Sequence, residues 1–105
     1  MFQQLVRDLI LAKFSLEADD VRSTSMGAGG EDILLSPVAR QRVPLSIECK
    51  SREKIAVYGY YEQAETNAKG RGEPCVFIKQ NRSKPLVIVD AEYFLEILRK
   101  ASDGH

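Results

Sequence analysis

The sequence predicts an α/β domain with a central mixed five-stranded sheet flanked by helices. Stretches with apolar residues at the helical period of about 3.6 alternate with short apolar runs typical of strands, in the order α-β-β-β-α-β-β-α. The length of 105 residues suits a single domain, residues 1–105, with one core of two or three layers. Both observations indicate a small α/β protein.

The first half of the chain predicts one helix and three strands. Apolar residues recur at helical spacing from Phe2 to about Ala18, and Asp19 and Asp20 end that pattern. Glycines at positions 27, 29 and 30 predict a tight loop between the first two strands. The predicted elements are a helix over 2–18, strands over 21–25 and 33–36, a hairpin-like connection over 37–43, and a strand over 45–50.

The second half predicts two helices around a pair of strands. The segment 69–72 ends the first of these helices, because glycine is favoured just past a helix terminus. Asp90 is a suitable N-cap for the last helix. The predicted elements are a helix over 57–68, strands over 76–79 and 86–89 joined by a polar turn over 80–85, a helix over 91–100, and a frayed terminus over 101–105.

Composition indicates an ordinary globular protein. Hydrophobic residues make up 44% of the chain and charged residues 29%. No apolar run approaches the roughly 20 residues of a membrane-spanning helix, and no secretory signal is apparent, so we expect a cytoplasmic protein without a membrane partner. Cys49 and Cys75 lack zinc-ligand spacing and the single histidine is His105, which favours two free buried thiols over a zinc site or a disulfide.

Charge is unevenly distributed although the formal net charge is zero. Between residues 32 and 84 there are ten Lys and Arg against six Asp and Glu, a formal charge of +4. Such a segment suits a nucleic-acid partner. A solvated surface of mixed charge remains the alternative.

The most informative pattern is Asp32 followed by Glu48-Cys49-Lys50. Side chains alternate between the faces of a strand, so Glu48 and Lys50 share a face and Cys49 points away. If the strand of Asp32 lies alongside, the two carboxylates form an oxygen-rich site for Mg²⁺ or Mn²⁺, with the Cys49 backbone carbonyl as a third ligand. Lys50 would then stabilise charge on a phosphate or assist a water molecule.

The pattern resembles the PD-(D/E)xK nuclease superfamily, in particular small phage-type endonucleases and archaeal-type Holliday junction resolvases. The resemblance covers roughly positions 20 to 98 and implies a restriction-endonuclease-like core. The segments that carry it are Gly27-Ala28-Gly29-Gly30-Glu31-Asp32-Ile33, Ile47-Glu48-Cys49-Lys50, Tyr61-Glu62-Gln63-Ala64-Glu65, Pro74-Cys75-Val76-Phe77-Ile78 and Asn81-Arg82-Ser83.

The resemblance assigns roles to further residues. Gln63 occupies the helix position where such nucleases carry a glutamine or lysine facing the active site, with surface polarity as the alternative. The resembled nucleases place an acid in the first helix, and Asp8 is the best positional match here. DNA contacts are expected from six residues, with a solvated surface as the alternative: Arg22, Ser25, Arg52, Lys54, Lys79 and Arg82.

These observations lead to the hypothesis of a Mg²⁺-dependent DNA endonuclease that acts on branched DNA, like a Holliday junction resolvase. A homodimer, paired through an apolar face of the first or last helix, would place two sites on two strands. The alternatives are a nickase or a flap or single-strand nuclease, a restriction-like or homing nuclease, a DNA-binding accessory protein without catalysis, and a structural phage component.

Overall fold

The computed structural model describes residues 2–24, 30–51 and 56–103. Its helices are α1 (Phe2–Lys13), α2 (Pro37–Arg42), α3 (Val57–Ala68) and α4 (Ala91–Asp103), with a 3₁₀ turn at Ala18–Asp20. Its strands are β1 (Val21–Ser23), β2 (Ile33–Leu35), β3 (Leu45–Ser51), β4 (Glu73–Lys79) and β5 (Leu86–Ile88). The α/β class and the order of the predicted elements are confirmed, with α2 as an addition.

The prediction of one five-stranded sheet is wrong. β1 and β2 form an antiparallel pair, while β3, β4 and β5 form a separate three-stranded sheet in that order. A hydrogen bond from the Asp32 N–H to the Ile47 carbonyl, 3.1 Å long, links the two sheets but does not extend into a strand ladder. β3 and β4 are parallel because α3 carries the chain back between them, and β5 pairs with β4 antiparallel.

Residues 37–43 begin with a helix and not with the predicted hairpin-like connection. Ser36 caps α2 by accepting a hydrogen bond from the Ala39 N–H (3.1 Å), and Pro37 occupies the first turn, where its missing N–H costs nothing. Ala39 is fully buried. The Ser-Pro pair is therefore a helix start.

The predicted bounds of the first and last helices also change. α1 ends at Lys13, five residues before the predicted Ala18. α4 continues to Asp103, which corrects the expectation of fraying over residues 101–103, while residues 104–105 lie outside the described part of the chain. Asp90 is confirmed as the N-cap of α4, since its Oδ2 accepts a hydrogen bond from the Tyr93 N–H at 2.9 Å.

The main core lies between α1 and the strands. α1 contributes Val6 and Ile10, and the strands contribute Val21, Ile33 and Ile47, all of them buried. α3 packs on the three-stranded sheet through the small residues Ala64 and Ala68. Both cysteines are free thiols, as predicted. None of the described helices has the length and apolar content that crossing a membrane requires.

Candidate metal and phosphate site

The candidate site residues of β3 alternate between the two faces of the sheet. Glu48 accepts a hydrogen bond from the Asn67 side-chain amide (3.5 Å), and the Lys50 Nζ lies 5.5 Å from the centre of the Tyr60 ring. Asn67 and Tyr60 belong to α3, so Glu48 and Lys50 share the sheet face that α3 covers. Cys49 lies on the opposite face, beside the first turn of α1.

Asp32 comes directly before β2 and reaches the edge of β3 through two hydrogen bonds. Its N–H donates to the Ile47 carbonyl (3.1 Å), and its Oδ2 accepts from the Cys49 N–H (2.8 Å). The N–H and C=O of one strand residue point to the same side of the strand. The Cys49 carbonyl is therefore expected on the side of β3 where Asp32 lies.

The Glu48 carboxylate is held in an environment that disfavours its charge. Its side chain is buried, with 3% exposure of the residue. Burial, and secondarily the negative charge of Asp32, raises the pKa of Glu48 to about 7, while Asn67 and Lys50 act in the opposite direction. Two carboxylates that oppose each other's ionisation in this way are a site that a cation would stabilise.

Asn67 is a site residue that the sequence analysis missed. It lies one helical turn after Gln63, which is exposed, and it is the α3 side chain that donates a hydrogen bond to Glu48. Gly30 packs against the other side of Asn67. A Cβ at Gly30, whose φ is +90°, would lie 3.2 Å from the Asn67 Cβ. Two features of the sequence could have indicated Asn67. It lies four residues after Gln63 and therefore near it on the helix surface, and asparagine has a low helix propensity.

A buried ionic cluster of Glu31, Arg40 and Arg71 connects the elements around the carboxylate pair. Glu31 is only 2% exposed, and its Oε1 lies 3.3 Å from a guanidinium nitrogen of each arginine. Arg40 also donates to the carbonyls of Leu45 (3.3 Å) and Arg71, and Arg71 donates to the Asn67 carbonyl (2.7 Å). The cluster thereby joins the residue before Asp32 to α2, to the start of β3 and to the end of α3.

The donor set fits a hard divalent cation that retains open positions. Among the described residues, no three His, Cys, Asp or Glu side chains converge to hold a metal. Mg²⁺, however, is commonly bound by one or two carboxylates, with water and substrate phosphates as its other ligands. Within the described ranges no hydrogen bond reaches Oδ1 of Asp32 or Oε1 of Glu48, so each carboxylate retains one oxygen for a cation.

The structure does not bring Asp8 to the carboxylate pair. The Asp8 side chain is 66% exposed and contacts Arg7 at 3.5 Å. Arg7 donates to the Val21 carbonyl (2.7 Å), at the end of the β1–β2 pair that is remote from Asp32. The described part of the chain therefore supplies no acid from the first helix to this site.

The predicted DNA contacts are distributed over different surfaces. Arg22 is exposed on β1 and, by strand alternation, lies on the same face as Asp32. Lys79 ends β4 and lines a cleft beside α1, on the opposite face, while Arg82 is exposed in the turn before β5. The remaining three lie outside the described residues: Ser25, Arg52 and Lys54.

Comparison with protein-family models, curated proteins and solved structures found no match.

Proposed function

We infer that this chain is a divalent-metal-dependent endodeoxyribonuclease with a restriction-endonuclease-like core, selective for branched DNA. The observation that carries the proposal is the pairing of Asp32 with the buried Glu48, with Lys50 on the same face of β3. Two carboxylates and a neighbouring ammonium group are a donor set suited to phosphodiester hydrolysis.

Asp32 and Glu48 would hold Mg²⁺ or Mn²⁺, together with the Cys49 carbonyl. When bound, the cation supplies positive charge that activates water and offsets the charge developing on the phosphate. Asn67 orients Glu48 through its hydrogen bond, and the Gly30 contact limits the positions open to Asn67. Asp32 is oriented in turn by the Cys49 N–H.

Hydrolysis requires in-line attack of water on phosphorus. The bond from the water oxygen to phosphorus forms as the bond from phosphorus to the 3′ oxygen breaks, and a proton passes to that leaving oxygen. The products are a 5′-phosphate and a 3′-hydroxyl. Lys50 is the described cation on the same face as Glu48, and its role is to stabilise the charge on the phosphate oxygens.

The small size of this domain supports selectivity for branched DNA. A chain of 105 residues offers little surface for reading base edges in addition to a catalytic site. Recognition of DNA shape through phosphate contacts needs fewer residues. Arg22, on the face of Asp32, and the exposed Arg82 are the described candidates for such contacts.

The test is cleavage of a labelled four-way junction, a linear duplex and a single strand, each with Mg²⁺, Mn²⁺ or EDTA. Wild-type protein is compared with Glu48→Gln, which removes the charge and keeps the shape. Glu62→Gln makes the same chemical change at an exposed position of α3 and is the matched control.

Paired, metal-dependent cuts in the junction that disappear in Glu48→Gln and persist in Glu62→Gln are expected. Cleavage of linear or single-stranded DNA without junction preference would support nuclease activity but contradict the proposed selectivity for branched DNA. Junction binding without cleavage in any metal would instead favour a DNA-binding accessory protein, the alternative that the position of Asp8 supports.

A further inference from the structure

Helix α4 presents a stripe of large apolar side chains to solvent. Four residues form this α4 stripe: Phe94 (48% exposed), Leu95 (62%), Ile97 (45%) and Leu98 (51%). By helical spacing they lie within one contiguous arc of the helix, together with Ala91 and Ala101. No residue of α4 is buried. In α1, by contrast, Val6 and Ile10 enter the core.

The opposite side of α4 is occupied by its own ion pairs. Arg99 pairs with Asp103 at 2.8 Å and with Glu96 one turn earlier. All three residues lie on the side of the helix away from the α4 stripe. These three charges thus pair with one another on one side of the helix, and the apolar side is clear of charged groups.

The neighbouring strand β5 is exposed as well. It pairs only with β4 among the described strands, and Leu86 (53%) and Val87 (46%) are exposed. The chain passes directly from β5 into α4. A cleft of about 310 Å³, lined in part by Tyr61, Ile88 and Ala91, separates the start of α4 from α3.

A helix of this length needs tertiary contacts to be stable. Isolated helices shorter than about 12–15 residues are marginal in water, and α4 has 13 residues. Within the described part of the chain Tyr93 is partly buried, but the four stripe residues remain about half exposed, so a partner surface on the α4 stripe would add stabilising contacts.

We propose that the α4 stripe, with the adjoining β5, is the surface through which two copies of this chain pair. In a two-fold symmetric pair the same patch meets itself, which an uncharged apolar stripe allows without a complementary charge pattern. The formal net charge of the chain is zero, so two copies do not repel each other.

The exposed area of the stripe contributes a large part of such an interface. At roughly 200 Å² for a large apolar side chain, the four stripe residues expose on the order of 400 Å². A stable dimer buries about 800 Å² on each partner, and one face of β5 with the polar residues that flank the stripe supplies the remainder. DNA is a poor occupant, because the stripe itself contains no basic residue.

The proposal is tested by the molar mass of the full chain in solution over a range of concentrations, without DNA or added metal. We expect twice 11.8 kDa for the wild type. Leu98→Lys inserts a charge into the stripe and should raise the dimer dissociation constant at least tenfold, a cost of about 1.4 kcal/mol. Glu92→Gln makes the same change of one positive unit on the polar side and should remain dimeric.

Circular dichroism separates dissociation from unfolding, and Phe94→Ser is a second stripe variant should Leu98→Lys fail to fold. A monomeric wild type at about 100 μM, far above the dissociation constants of stable dimers, would overturn the proposal. So would stripe variants that fold and dimerise as the wild type does. Because the readout needs neither metal nor DNA, its result is independent of the nuclease activity.

Discussion

At the level of single residues, Glu48 sets a conflict between folding and function. Its buried carboxylate lies beside Asp32, and its pKa is raised to about 7, so in the folded protein without metal this carboxyl is partly protonated near neutrality. A catalytic metal ligand must be ionised. Burial in the folded state therefore favours the protonated carboxyl of Glu48, whereas a bound cation would favour its ionised form.

The stability of the metal-free protein should fall as the pH rises. The pKa of Glu48 is higher in the folded state (about 7) than its ordinary value of 4.5. The folded state therefore binds more protons between these values, and stability is greatest below the lower one and is lost as the pH rises through the higher one. The contribution is on the order of 3 kcal/mol, from 1.36 kcal/mol per pKa unit.

The measurement is urea denaturation in EDTA between pH 4.5 and 8 for the wild type and Glu48→Gln. The variant should gain stability relative to the wild type as the pH rises, because glutamine does not ionise. A constant difference between the two proteins across this range would show that Glu48 titrates normally.

One part of the candidate site is predictable from the sequence and another part is not. The common face of Glu48 and Lys50 follows from strand alternation alone, which needs no tertiary information. The choice between Gln63 and Asn67 depends on the rotation of α3 about its axis, which is set by how Ala64 and Ala68 pack on the sheet. The rotation of a packed helix is not visible in a local sequence pattern.

At the level of elements, the ionic cluster of Glu31, Arg40 and Arg71 holds the loop before β2 against α2 and α3. Arg40→Met would leave the buried Glu31 with one guanidinium partner and remove the donor to the Leu45 carbonyl. We expect a loss of about 2–3 kcal/mol in the free energy of unfolding, below the 3–5 kcal/mol for a fully broken buried pair.

Chemical denaturation measures this loss, and Arg42→Met in the same helix is its control. Arg42 is exposed and lies 5.8 Å from the centre of the Phe14 ring, a contact worth about 0.5–1 kcal/mol. Equal losses in the two variants would mean that the cluster contributes no more than a surface contact.

The turn after α3 provides a second test at this level, since two of its glycines differ in their surroundings. Gly70 (φ +77°) has open space where a Cβ would be, whereas a Cβ at Gly72 (φ +141°) would lie 3.0 Å from the Leu45 carbonyl carbon. Gly70→Ala should cost about 1 kcal/mol of folding stability for left-handed backbone alone. Gly72→Ala should cost about 3 kcal/mol, because backbone atoms obstruct it.

Thermal denaturation of both variants distinguishes these costs. Similar values for the two would indicate that β3 moves easily away from Gly72. Of these elements the sequence predicted the helix stop and β3 itself. It did not predict the division into two sheets. Between β2 and β3 a single hydrogen bond, from Asp32 to Ile47, stands where a continuous sheet would have a ladder of bonds. The alternation of apolar residues along a strand does not show whether such a ladder forms.

At the level of the whole molecule, the two proposed functions occupy different surfaces. The carboxylate pair lies where β2, β3 and α3 meet, whereas the α4 stripe belongs to the helix that follows β5, the strand at the other edge of the three-stranded sheet. α1 covers the face opposite the carboxylates. We therefore expect pairing through α4 to leave both sites of a dimer open, as the proposed cleavage of two DNA strands requires.

Metal binding at this site should stabilise the whole protein in a pH-dependent way. A ligand at a hundred times its dissociation constant adds about 2.7 kcal/mol of stability, on the order of 10 °C in the thermal midpoint of a small domain. Because the pKa of Glu48 is raised to about 7, protons compete with the cation below that value. The apparent affinity for Mn²⁺ or Mg²⁺ should be about tenfold weaker at pH 6 than at pH 8.

Thermal denaturation over a metal titration at both pH values measures this difference in affinity. Asp32→Asn should lose the stabilisation by metal. Asp8→Asn, which is remote from the carboxylate pair, is the control that should keep it. An equal metal response in all three proteins would place the cation elsewhere and remove the central support for a metal-dependent nuclease.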